Sequence, residues 1–168
     1  MPVSADVLRN HLVYTAWASR RLVDAARQLP ADQLTRDFQT ANHSVLGTLV
    51  HVFAADRIWL ARVTGAAPTP FVSDADYQLS VLENDWPDLH GRWQHWAAGL
   101  TDAGVQAVLE WKDLKGNSYR QPLWQIVLHV VNHGTHHRGL VSGFLRAMGH
   151  TPPPLDLILF FREQAAHA

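Results

Sequence analysis

The stretch HVVNHGTHHRGL, residues 129–140, places four histidines in nine positions of an otherwise apolar segment, and this restricts the fold more tightly than anything else in the chain. On a helix turning about 100° per residue, His133 and His137 stand about 40° apart on adjacent turns, and all four histidines fall within about a 100° arc. Val130, Leu140, Val141 and Phe144 share that arc, so the stripe is expected to turn inward, whereas Arg138 points to the opposite side of the helix from His129. A buried imidazole lacking a partner costs about 1–3 kcal/mol, against a margin of roughly 5–15 kcal/mol for a whole domain. The cluster needs a common partner. A divalent cation is the simplest, because histidines at i and i+4 present ring nitrogens to one ion.

A pair of ligands is not a site, and the third candidate is His51, in the middle of an earlier helical segment. Its neighbours one turn away on the same face are Gly47, Thr48, Ala54 and Ala55. Small residues around a long polar side chain suggest a hollow of the kind a metal with an open coordination position requires. Spacing alone leaves the pair on the later segment open, since His129 with His133 has the same i, i+4 relation as His133 with His137. His11 could reach the same pocket. His43, His90, His95, His150 and His167 read as surface or loop residues, and the seven tryptophans as core and pocket wall.

The rest of the chain supplies helices to carry these residues. A first helical segment opens at Ser4 and closes before Pro30; a second runs from Ser44, a natural N-cap, to Gly65, a natural C-terminal stop. The stretch AAPTPFVSDAD reads as a loop able to form a lid or a pocket wall. A third helix is expected from about Asp85, which makes Pro87 an early-turn residue rather than an interior breaker. VLEWKDLKGNSYRQPL reads as a β-hairpin turning at Lys115-Gly116-Asn117. The fourth long helix lies between Pro122 and Gly149, and LDLILFFREQAA forms a short amphipathic C-terminal helix. The expected fold is all-α: one domain over residues 1–168, a four-helix bundle with a hairpin insert before the last long helix.

Composition excludes several functions. Net charge is −1 with Lys and Arg dispersed, which gives no footprint for nucleic acid. No apolar run approaches the roughly 18 residues that span a bilayer, and no signal-peptide pattern heads the chain, so the expected location is cytoplasmic. The absence of cysteine removes thiolate ligands and a cysteine nucleophile, and any thiol in the chemistry must arrive with a substrate. No CxxCH is present, and the small residues around His51 favour a compact ion over haem.

LGTLVHVFAADRIWLARV, then QPLWQIVLHVVNHGTHHRGL, then GHTPPPLDLILFFRE together resemble the DinB superfamily, the DinB/YfiT-like metalloenzymes, and the likeness extends to YTAWASRRL and DLKGNSYRQPL. The resemblance implies a four-helix bundle, commonly a homodimer, holding a divalent ion such as zinc or nickel. The family's ligand histidines fall on His51, His133 and His137, which by analogy selects the second of the two pairs. It further implies, for some relatives, activation of a low-molecular-weight thiol for transfer or isomerisation on a small molecule. Gly134 follows His133 where a zinc protease has glutamate, so the HExxH machinery is missing. The expected activities are thiol transfer or hydrolysis; the alternative is a non-catalytic bundle with a structural ion.

Overall fold

The structure, a computed structural model, describes residues 3–67 and 70–166. Among these residues six α-helices and one hairpin follow in order: α1 (Ala5–Ala26), α2 (Ala31–Leu34), α3 (Val45–Thr64), α4 (Leu79–Ala98), β1 (Val108–Lys112), β2 (Ser118–Pro122), α5 (Leu123–Ala147) and α6 (Leu157–Ala166). The four long helices form the bundle. α1 packs on α4 and α5, and α3 packs on the same two, so α1 and α3 sit diagonally.

Local chemistry sets most boundaries. Ser4 accepts the Val7 amide at 3.4 Å, and Ser44 accepts the Gly47 amide at 3.0 Å, each satisfying a donor that the first helical turn leaves free. Gly65 ends α3 in the left-handed conformation at φ 67°, which costs glycine nothing and any side chain something. The hairpin pairs Val108 with Pro122 through to Lys112 with Ser118. Its turn is held by Asp113, whose carboxylate accepts the Lys115 amide at 2.8 Å and the Asn117 amide at 2.9 Å. The single turn α2 lies in the polar connector between the first two long helices, where no helix is expected.

The third long helix begins at Leu79, six residues before the expected start near Asp85, and Pro87 is inside it. Leu82, Trp86, Leu89, Trp93 and Ala97 form one buried stripe at helical spacing. A proline in a helix interior costs about 3 kcal/mol, while burying side chains such as Leu82 and Trp86 returns about 1.5–3 kcal/mol each. The stripe wins. Pro87 itself lies on the exposed side of the helix, which leaves the bond-deprived backbone on the side nearer water.

Two polar groups are built into the helix contacts. Asp56 of α3 is 1% exposed and accepts from Trp86 Nε1 at 2.9 Å, while its backbone carbonyl accepts from Trp93 Nε1 at 3.0 Å. His90 Nε2 lies 3.4 Å from the same carboxylate. His90 is therefore a buried residue facing α3, and the surface reading of it is corrected: its partner lies 34 positions earlier in the chain. On α5, Arg138 is buried against α1, donating to Ser19 Oγ and Thr135 Oγ1 at 3.2 Å, with its guanidinium 5.6 Å from the Tyr14 ring centre. A Cβ at Gly134 would lie 2.7 Å from that guanidinium, so the glycine makes room for it. α6 closes over α1 through Tyr14, Trp17 and Phe160, with Trp17 Nε1 donating to Glu163 at 2.8 Å.

Replacing Trp86 by Phe removes the donor that satisfies a buried carboxylate. Denaturant titration should show Trp86→Phe less stable by about 1–3 kcal/mol with an unchanged m-value.

Candidate metal centre

His51 projects from the second turn of α3, and His133 and His137 from successive turns of α5, the helix that packs directly against it. The His51 and His133 Nε2 atoms are 3.0 Å apart. Ring centres lie 4.9 Å apart for His51 and His133, and 4.4 Å apart for His51 and His137 and for His133 and His137. One nitrogen from each ring falls within 4.8 Å of the other two, so the three form a group that could hold a metal ion. Around an ion with metal–nitrogen bonds of about 2.0–2.1 Å, tetrahedral ligand nitrogens stand roughly 3.4 Å apart, close to what the rings already present.

The donor set suits a cation in its protonation state as well. Burial pushes the His133 imidazole down to about 4, helped by the positive charge that His137, His51 and His129 would carry. His137 is likewise lowered to about 4 by burial and by His51 and His136, and His51 is lowered by burial. All three favour the neutral form near pH 7, with lone pairs available. His137 Nδ1 is buried with no hydrogen-bond partner, and a ring held this way by packing alone is what a coordinate bond would anchor. These residues fit a divalent ion.

The other histidines separate cleanly. His129 lies edge-on to Trp59 at 5.3 Å and 6.0 Å from the His133 ring, outside the group, so the geometry favours the His133–His137 pair over His129–His133. His136 touches only the edge of His137. Both His129 and His136 are exposed, so the inward stripe expected of all four histidines narrows to His133 and His137: the contact with α3 is slimmer than the arc they share. His11 bonds its Nδ1 to the Val7 carbonyl at 2.8 Å. His43 and His95 are exposed as expected; His150 is half-buried, bonded to Gln33. His167 lies outside the described residues.

One expectation about the surroundings of His51 changes. The space beside Gly47 is filled: a Cβ there would collide with the Asn42 carbonyl, so this glycine serves the close approach of the 35–44 connector rather than a hollow. Arg57 pairs with Asp76 at 2.9 Å. That ion pair moors the loop after α3 and holds Asp76 down at about 2. The same loop lays Phe71 edge-on to His51 at 5.5 Å, making it a wall of the site. A separate cleft of about 430 Å³ between α1, α4 and α6, with Trp17, Trp86 and His90 in its lining, does not include the three histidines.

A helical bundle whose two facing helices bring three neutral imidazoles to one point defines a class of candidate metal proteins. This chain belongs to the DinB family, whose model matches residues 1–166. It is 24% identical over 153 residues to Protein DinB of Bacillus subtilis (strain 168), covering 88% of this chain and 89% of that protein. A crystal structure of a DinB-like protein from Bacillus cereus ATCC 10987 shares the fold, with a TM-score of 0.69 at 17% identity, over 92% of this chain and 99% of that one.

Because the folded-state values of His133 and His137, about 4, lie below the ordinary 6.5, the unfolded chain takes up these protons first. Metal-free protein should lose stability as pH falls from about 6.5 to about 4, then level off with respect to these groups. Melting temperatures of chelator-treated wild type and His133→Ala across this range check it; the variant's profile should be flatter.

Proposed function

We propose that this protein is a divalent-metal-dependent enzyme in which His51, His133 and His137 hold the ion, zinc or nickel, and a low-molecular-weight thiol or water is activated for transfer or hydrolysis on a small molecule. The observation that carries the reading is the convergence of three ring nitrogens within 4.8 Å from two different helices. When bound, such an ion supplies Lewis acidity and lowers the pKa of a thiol or water that it coordinates.

The chain's own groups define the remaining roles. The three imidazoles are half-buried rather than enclosed, which supports access from solvent. Phe71 lies edge-on to His51 at one side of the group. Asp56 is committed to Trp86 and lies beside His90, and Gly134 occupies the position a protease glutamate would take, which disfavours peptide hydrolysis. A thiol needs less assistance from a protein base than water does, and a chain without cysteine must take one from outside. The substrate is a small molecule rather than nucleic acid, given a net charge of −1. We further propose a homodimer located in the cytoplasm; light scattering of the purified protein tests the first. Among the described residues, no helix is long and apolar enough to cross a membrane.

Elemental analysis of protein purified without an affinity tag tests the ligand set. His133→Ala should lose stoichiometric metal and melt at a lower temperature than the as-purified wild type, while His136→Ala should keep its metal; a variant pattern in which His136→Ala strips the ion as fully as His137→Ala does refutes the assignment. Thiol conjugation should be abolished by chelator and restored by added metal; conjugation indifferent to chelator refutes the metal-dependent mechanism.

A further inference from the structure

Away from the metal centre, the cleft between α1, α4 and α6 has a volume of about 430 Å³, within the range of small-molecule sites. Leu82, Trp86 and Phe160, each at most 2% exposed, line it from the core, and Trp17 of α1, half-buried, lines it from the side. The polar edge of Trp17 is already used: Nε1 donates to Glu163 at 2.8 Å, and the Arg21 guanidinium covers one face of the ring at 4.6 Å. What this indole leaves to the cleft is hydrocarbon.

The formal charges in the lining cancel. Arg20 and Arg27 are matched by Asp24 and Glu83, and Arg27 stands 3.6 Å from Asp24 and 3.8 Å from Glu83. A cleft without net charge gives an ion little to offset the cost of leaving water, so these walls suit a neutral molecule.

One polar group interrupts the apolar wall at depth. His90 is 8% exposed and lines the cleft beside Trp86, on whose ring it stacks at 5.4 Å and 25°. Its Nε2 is enclosed, 3.4 Å from Asp56 Oδ2. A lone pair on Nε2 would face the lone pairs of the carboxylate, so the neutral ring carries its proton there and keeps its lone pair on Nδ1. Among the described residues Nδ1 has no hydrogen-bond partner, and it is not one of the enclosed atoms. It therefore opens to the cleft. A histidine that only filled the contact between α4 and α3 would have both nitrogens enclosed or satisfied within the chain; here a buried carboxylate fixes one and the other is presented as an acceptor.

We propose that this cleft is a second ligand site, independent of the metal centre, for a neutral phenol-like molecule: an aromatic ring that lies along Trp17, bearing a hydroxyl that donates to His90 Nδ1. The aromatic lining favours a ring, and the single acceptor at depth selects one with a hydrogen-bond donor.

Calorimetric titration of the as-purified protein near pH 7 with 2-naphthol and with 2-methoxynaphthalene, both uncharged and differing in the O–H donor, tests this. Wild type should bind the naphthol about tenfold more tightly than the ether, with or without chelator. His90→Phe, which keeps a ring and removes the acceptor, should bring the two affinities together by weakening the naphthol alone. Ala16→Phe, which fills the half-buried α1 side of the cleft, should weaken both compounds by about tenfold and serves if the His90 variant does not fold. Equal affinity of wild type for the two compounds, or failure of both to bind, overturns the proposal. So does naphthol binding that chelator abolishes, that Ala16→Phe leaves unchanged, or that keeps its full preference in folded His90→Phe.

Discussion

The contact between α3 and α5 is the constraint on which the site depends. His51 Nε2 and His133 Nε2 approach to 3.0 Å where α3 packs on α5, among buried neighbours on each helix, Val50, Val52 and Ala54 on α3 and Val130 and Val131 on α5. Apolar packing thus performs the positioning, and the imidazoles accept the consequence. Their depressed proton affinity records the cost of drawing three titratable rings together away from bulk water.

The interior is less apolar than a bundle requires. Asp56 and Arg138, each 1% exposed, carry opposite formal charges into the space between the helices without touching one another. Each instead directs a hydrogen bond to a neighbouring helix, Asp56 to Trp86 of α4 and Arg138 to Ser19 of α1. Hydrophobic faces slide past one another at little cost, whereas such bonds hold only in one register. Between them they tie α3 to α4 and α5 to α1, two of the pairings that surround the core.

Much of this was legible in the chain itself. Ser44, Gly65, Gly116 and Gly149 mark ends and turns because caps and positive φ demand particular residues, and the structure uses them so. The group of three histidines was legible only in part: imidazoles at i and i+4 offered two pairs on α5, and the family resemblance, not spacing, selected the pair that lies beside His51. What escaped was set by distant partners. Pro87 looked like a helix start because its local cost is visible in sequence, while the stripe from Leu82 to Ala97 that offsets it becomes decisive only against α1 and α3. His90 looked exposed until Asp56 came to meet it, and Gly47 looked like part of a hollow until the Asn42 carbonyl filled the space. The burial of Arg138 had a faint signal in Gly134, one turn earlier, but a glycine in a helix has several uses.

The arrangement of α1 has a bearing on biosynthesis. Its principal neighbours are α4 and α5, and Trp17 and Arg21 reach Glu163, 146 and 142 positions later. α1 leaves the ribosome well before the helices it packs on, so its apolar stripe is covered only once α4 and α5 have been translated. Nascent chains of this protein carry an unsheltered amphipathic segment until those helices emerge.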